Sequence, residues 1–482
     1  MKTLIFIHTG MILVMLLGIG CNKDELDIPP PNKVTLEQAH STTAGIDQTI
    51  TAAYRNMADG NALSGRYYWW AEAMADHVKP NTNITGDFLN IYNRDFVASP
   101  GGGDLSYTYR AINLCNEVLR SVELNRPTDA QYASNKDRMK GEALFLRAIC
   151  NFEMVRYYGP QFGKSANNDD LGVVLLKEPV EGRIQPARNT VAETYNSIME
   201  DLLAAEQLLP ATFDPVLHLA EYRGRAVKDA ARAYLVRVYF QQSTTAGNIK
   251  ALEYINKLIG ASPGTIINYP LGTVLDAFNK SGETAFATES IFQIIGVPGQ
   301  SLADNLRDRY KLISATPASN SYIASAKFLA DTRFYNADKR KTDLLITVSG
   351  STYTKKYDLQ NMNIPKIRSA EMILDRAEIN VAGNNLPDAV KDINVIRQRA
   401  NIPLIDAAAI NAVQLLDTIR IERIREFCFE GDRLHYLKRS KADIPAGDRT
   451  NATPIPWNAN KILMKYSQGE LDRNSNLVQN ND

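Results

Sequence analysis

Residues 136–158 carry apolar side chains on every side of a helix, among them Leu144, Phe145, Leu146, Ile149, Phe152, Met154 and Val155, and the run stops at Gly159-Pro160. A helix that is hydrophobic all round has to be buried on several sides, and Gly-Pro is a strong terminator. This segment therefore demands a multi-helix body around it. Apolar residues at helical spacing predict the neighbours at 43–58, 104–122 (with Asp104 as N-cap), 191–209, 225–242, 249–259, 368–382, 387–400 and 410–429. Several fall in pairs, and Arg147-Ala148, Arg232-Ala233 and Arg376-Ala377 each sit mid-helix among apolar residues. Antiparallel pairs with small residues at their crossings stack in tetratricopeptide-type arrays. The expected fold is mainly α, a degenerate tetratricopeptide-like scaffold of helical pairs.

Between the pairs, residues 66–103, 161–189 and 262–365 are poor in helical signal. Long irregular connections in a compact protein are usually functional, so the ligand site is expected on these loops. Charge narrows the partner. Lys and Arg total 54 and Asp and Glu total 54, so no overall positive field exists to hold nucleic acid. Four cysteines, widely spaced, are too few for a disulfide framework or a CxxC metal site. Cys115, Cys150 and Cys428 read as small buried hydrophobes on helices.

The first twenty residues read as an export signal: Lys2, an apolar run, then Leu17-Gly18-Ile19-Gly20-Cys21. Small residues before that cysteine look like the lipobox at which a bacterial signal peptidase cuts and the cysteine is diacylated. Acyl chains contribute about 0.8 kcal/mol per buried methylene, so Cys21 would anchor the protein without a spanning helix. Pro29-Pro30-Pro31 forms a stiff spacer. The expected division is 1–20 signal, 21–35 lipidated cysteine and tether, 36–260 an N-terminal helical region and 261–482 a C-terminal region, the last two packed as one body.

Catalytic and nucleotide motifs are missing. There is no G-x-x-x-x-G-K-[ST], G-x-G-x-x-G, G-x-S-x-G or S-x-x-K, and the five histidines never form H-E-x-x-H. Asn81 to Asp87 has oxygen ligands at alternate positions, but position twelve of a calcium loop would be Tyr92, and an Asx-rich turn accounts for it better. No metal or cofactor is expected. Paired carboxylates of a glycosidase stay open, because 54 acids offer many pairs. The aromatic run Tyr67-Tyr68-Trp69-Trp70, followed by Asp76, Asn81, Asn83 and Tyr92, is more suggestive. Sugar rings stack apolar CH faces on aromatics, while amides and carboxylates satisfy their hydroxyls. At least half of the four aromatics are expected to face the core instead.

Several segments together resemble one family, the SusD/RagB outer-membrane nutrient-binding lipoproteins of Bacteroidetes. They are Lys140 to Ala148 running into Arg156-Tyr157-Tyr158-Gly159-Pro160, then Arg397-Gln398-Arg399-Ala400. Ile421 to Arg433 follows, with its spaced Glu422, Arg423, Glu426, Glu430 and Arg433, and then Pro454-Ile455-Pro456. Asn22-Lys23-Asp24-Glu25 is similar to a surface-export signal of such lipoproteins. The charged signature residues read physically as ion pairs fixing the last helix, not as ligand contacts.

The resemblance implies a non-catalytic, surface-exposed outer-membrane lipoprotein with four tetratricopeptide-like pairs. It would capture an oligosaccharide or polysaccharide and deliver it to a SusC-like TonB-dependent transporter barrel. Ligand loops would lie within 66–103 and roughly 296–322, making Tyr67, Trp69, Trp70, Asp76, Asn81, Asn83, Tyr92 and Tyr322 the candidate binding residues. A peptide-binding role in the same family is the alternative, with a surface glycoside hydrolase or a protein-only adaptor behind it.

Overall fold

The computed structural model describes residues 35–81, 84–96, 105–213, 224–282, 285–296, 304–312 and 321–481. Its longer helices, in chain order, are α1 (Thr43–Met57), α2 (Arg66–Met74), α3 (Gly86–Asn93), α4 (Ser106–Glu123), α5 (Tyr132–Tyr158), α6 (Val191–Leu208), α7 (Lys228–Gln242), α8 (Thr245–Ile259), α9 (Asp304–Tyr310), α10 (Ser369–Ala382), α11 (Leu386–Arg399), α12 (Ala412–Phe427) and α13 (Arg433–Arg439). Local chemistry sets several starts. Thr42, Thr190, Thr244 and Asn411 each accept a first-turn backbone N–H, and Thr190 with Glu193 and Asn411 with Gln414 complete capping boxes.

The pairs are α1 with α4, α5 with α6, α7 with α8 and α10 with α11. Each pair touches the next in chain order: α4 meets α5, α6 meets α7, α8 meets α10, and α12 closes on α10 and α11. The central α5 is buried along almost its whole length from Arg138 to Tyr158. The three mid-helix arginines explain part of the stacking. Arg147 forks onto Asp201 of α6 through two 2.8 Å bonds. Arg376 forks onto Asp392 of α11 at 2.8 and 2.7 Å, and Arg232 reaches Glu206 of α6 at 2.8 Å. A bidentate guanidinium–carboxylate pair fixes orientation as well as proximity, so it sets the crossing of each helix on its neighbour.

Helices are only part of the region expected to be irregular. Residues 66–103 open with α2 and contain α3, joined by strand β1 (Val78–Pro80). Between α8 and α10 lie β2 (Ser290–Ile294), β3 (Tyr322–Ala324), β4 (Leu345–Val348), β5 (Ser351–Thr354) and β6 (Ile364–Arg368). They pair antiparallel as β1 with β3, β2 with β6 and β4 with β5. Cys115, Cys150 and Cys428 are buried and free, the last capping α12 rather than lying within it. The predicted N-cap Asp104, the export signal, Cys21 and the tether up to residue 34 lie outside the described residues. No helix among the described residues is long and apolar enough to cross a membrane.

Candidate functional site

Strand β1 follows the aromatic helix α2, and β3 precedes residue 325 in the other long insert. Their register sets Val78 opposite Ala324, Lys79 opposite Ile323 and Pro80 opposite Tyr322. The ladder continues through Asn81, whose N–H donates to Ser321 O at 2.9 Å. Asn81 Nδ2 also donates to Ser321 Oγ at 3.3 Å. The two inserts expected to carry ligand loops are thus stitched together at one place.

Under that seam lies an aromatic bed. Trp69 stacks on Phe88 of α3, with centroids 5.0 Å apart, and on Tyr322, 5.8 Å apart. Tyr322 Oη donates to Phe88 O at 2.7 Å, tying β3 to α3. The Arg309 guanidinium of α9 sits over the outer Phe88 ring at 4.3 Å, a cation–π arrangement. Phe88, Leu89, Lys79, Pro80 and Arg309 are partly exposed on this face. Three of them are apolar and two are cationic donors, a combination able to meet both the CH face and the hydroxyls of a sugar ring.

The sequence-chosen residues form the foundation of the face more than its surface. Tyr67, Trp69, Trp70, Asp76, Asn81, Tyr92 and Tyr322 are all buried, with Trp70 fully so. Tyr67 and Trp70 pack on Tyr157 of α5, and Tyr157 Oη donates to Tyr67 O. Their ring faces are spent on protein, which corrects the expectation of exposed platforms on a loop. Asn83 lies outside the described residues. Asp76 takes a two-pronged ion pair from Arg433, at 2.8 and 2.9 Å. Burial alone would raise the Asp76 carboxyl, but that guanidinium holds it below its usual value.

Two arginines that sequence reasoning missed hold the backbone of this region. Arg94 donates to Met74 O, Ala75 O and Pro445 O. Arg449 donates to Ala73 O, Ala75 O, Tyr92 O and Ala446 O, with its guanidinium 4.2 Å over the Tyr92 ring. Burial, and then the neighbouring Arg449, pull Arg94 down to about 9. Nothing in the order of residues announces Arg449, which acts across the whole chain. Phe88 and Arg309 were also missed; Phe88 stands just beyond the aromatic run that drew attention.

The charged signature residues lock the bed from below. Gly431 N donates to Glu72 Oε1 of α2 at 2.9 Å. Glu422 meets Arg340 at 2.6 Å, Arg397 at 2.5 Å and Arg425 at 2.9 Å. Glu426 meets Arg368 at 3.0 Å and also Arg399. Glu430 bridges Lys356 at 2.7 Å and Arg368 at 2.9 Å. Arg423 lies between Asp375 at 2.5 Å and Asp432 at 2.6 Å. These pairs are the packing lattice the spacing predicts, and most are fully desolvated. Among the described residues no group of three or more His, Cys, Asp or Glu side chains is arranged to hold a metal.

Comparison with known proteins agrees with this architecture. Residues 26–240 match a family profile described as SusD-like, starch-binding and associating with the outer membrane, and residues 299–482 match the SusD family profile. A SusD-like protein of Formosa agariphila is 23% identical over 488 aligned positions, covering 90% of each chain. A crystal structure of a candidate sugar-binding protein of Bacteroides vulgatus superposes with a TM-score of 0.76 at 25% identity, covering 91% of this chain and 98% of that one. A SusD superfamily protein of Bacteroides thetaiotaomicron gives 0.77 at 22% identity, covering 93% and 100%.

Proposed function

Since the chain belongs to the SusD/RagB family, we propose that it captures carbohydrate at the outer membrane, without turning it over, through the face built on the β1–β3 seam. The supporting observation is that seam: it joins the two long inserts over a rigid stack of Trp69, Phe88 and Tyr322, with Arg309 and Lys79 at its edge. In this reading Phe88 and its exposed neighbours meet the ligand, while Trp69, Trp70 and Tyr322 hold them in place. A pre-formed bed of this kind lowers the ordering cost of binding. The occupant is an oligosaccharide or polysaccharide, Cys21 carries the lipid anchor, and a TonB-dependent barrel receives the ligand.

The test is affinity electrophoresis of soluble protein starting at Asn22 against plant, microbial and host glycans, with peptides assayed by calorimetry. Retardation by one glycan class is expected, weakened about tenfold by Phe88→Ala, an effect of about 1.4 kcal/mol. The variant should keep its helical circular dichroism. Heat from peptides with silence on glycans would move the protein to the peptide-binding alternative. New reducing ends released from the bound glycan would overturn the non-catalytic reading.

A further inference from the structure

Behind the aromatic bed, between α5, α7, β6 and α13, lies a cavity of about 50 Å³. It is larger than one water needs, roughly 10–15 Å³ by the same kind of measure. Its wall is polar and buried, and its charges do not balance. Lys366 of β6, buried, donates to Leu63 O at 2.7 Å and lies 4.2 Å over the Tyr68 ring, with no carboxylate in ion-pair contact among the described residues. Arg439 of α13 also lines it and is tied to Glu378, which lies off the wall. Arg156 pairs with Glu153, and Arg237 pairs with Glu371 at 2.6 Å. The wall thus carries six cations, Arg368, Arg423 and Arg439 among them, against four carboxylates, Glu430 and Asp432 completing the set. Arg423 lies between Asp432 on the wall and Asp375 behind it.

Unused donors face the same space. His435 lines the cavity and is 2% exposed, yet neither of its ring nitrogens has a protein hydrogen-bond partner among the described residues. Arg156 Nε, on another lining residue, is equally unpartnered. Glu153 Oε1 is the opposing acceptor. Burial without a partner is costly for donors and cations alike.

We propose that this cavity is a binding site for one small monovalent anion of chloride size, held by Lys366, Arg156 and a neutral His435 donating one ring N–H. The anion supplies the missing negative charge and the missing acceptor together. It lies behind the glycan face, so its occupancy does not depend on the carbohydrate reading. Burial, the first cause, pulls Lys366 down to about 7, and a bound anion would hold it protonated.

The experiment uses the soluble chain and compares chloride, bromide and gluconate sodium salts at equal ionic strength. Chloride and bromide, but not gluconate, should raise Tm by about 1–2 °C in a saturable manner. Lys366→Met should abolish that increment, and a wild-type crystal in bromide should show an anomalous peak beside Lys366. If that variant does not fold, His435→Phe and the bromide peak decide the matter. Equal response to all three salts, an unchanged increment in the variants, or a cavity holding only water would each overturn the site.

Discussion

Glu426 shows what a single residue does here. Burial would raise its carboxyl, but Arg399, Arg368 and Arg340 outweigh it and hold the group well below the usual carboxylate range. Removing one member of a desolvated cluster leaves the others uncompensated. Glu426→Gln should therefore lower unfolding free energy by about 3–5 kcal/mol, read from urea midpoints at constant m. His40 shifts the same way for the opposite reason, because here burial itself lowers the value. It is fully buried between Ser121 Oγ and Thr49 Oγ1, both at 2.7 Å. Burial pulls it from 6.5 to about 4. The unfolded chain then binds a proton that the folded chain refuses, so stability is lost as pH falls from 6.5 towards 4. A urea series across that window should show a falling midpoint, with a shallower fall in His40→Gln.

At the scale of elements, α2 is the pedestal of the ligand face and α13 is its clamp. Gly431, at φ +78°, lets the chain turn between α12 and α13, and an added Cβ would lie 2.9 Å from Tyr68 Cα and 3.2 Å from Tyr68 O. Gly431→Ala should cost about 1–3 kcal/mol. It should also weaken glycan retention more than Leu258→Ala, whose buried site in α8 is remote from the face; melting and affinity electrophoresis on both variants check this. The same elements mark where sequence reading works. Helices α1, α4 to α8 and α10 to α12 are legible because each has one apolar face or a definite stop. Arg-Tyr-Tyr-Trp-Trp-Ala-Glu-Ala-Met of α2 has no polar stripe, since every residue after Arg66 is buried, so its helical period is invisible. For the same reason the aromatic run looked like a binding platform. Phe88 escaped notice because a single ring says nothing until Trp69 and Arg309 flank it.

For the whole molecule, stability should grade along the stack. α5 is wrapped by α4, α6 and part of α1, while the β4–β5 hairpin exposes Ile346 and Val348. Hydrogen exchange should be slowest in residues 139–155 and fast in the hairpin; the reverse order would contradict α5 as the centre. The lattice around Arg368 gathers separate segments of the C-terminal region, because Glu289, Glu426 and Glu430 each reach it.

The β1–β3 seam has a consequence in time. Val78 must find Ala324 across about half of the sequence, and Arg449 must then arrive to hold Tyr92 and Ala75. Helical pairs close over short loops and form early, whereas contacts so far apart along the chain come late. During synthesis the nascent protein would expose a nearly complete scaffold with no working face until its last segments emerge. Capture of ligand is then a certificate of finished folding, and refolding chains should regain helicity well before they regain affinity.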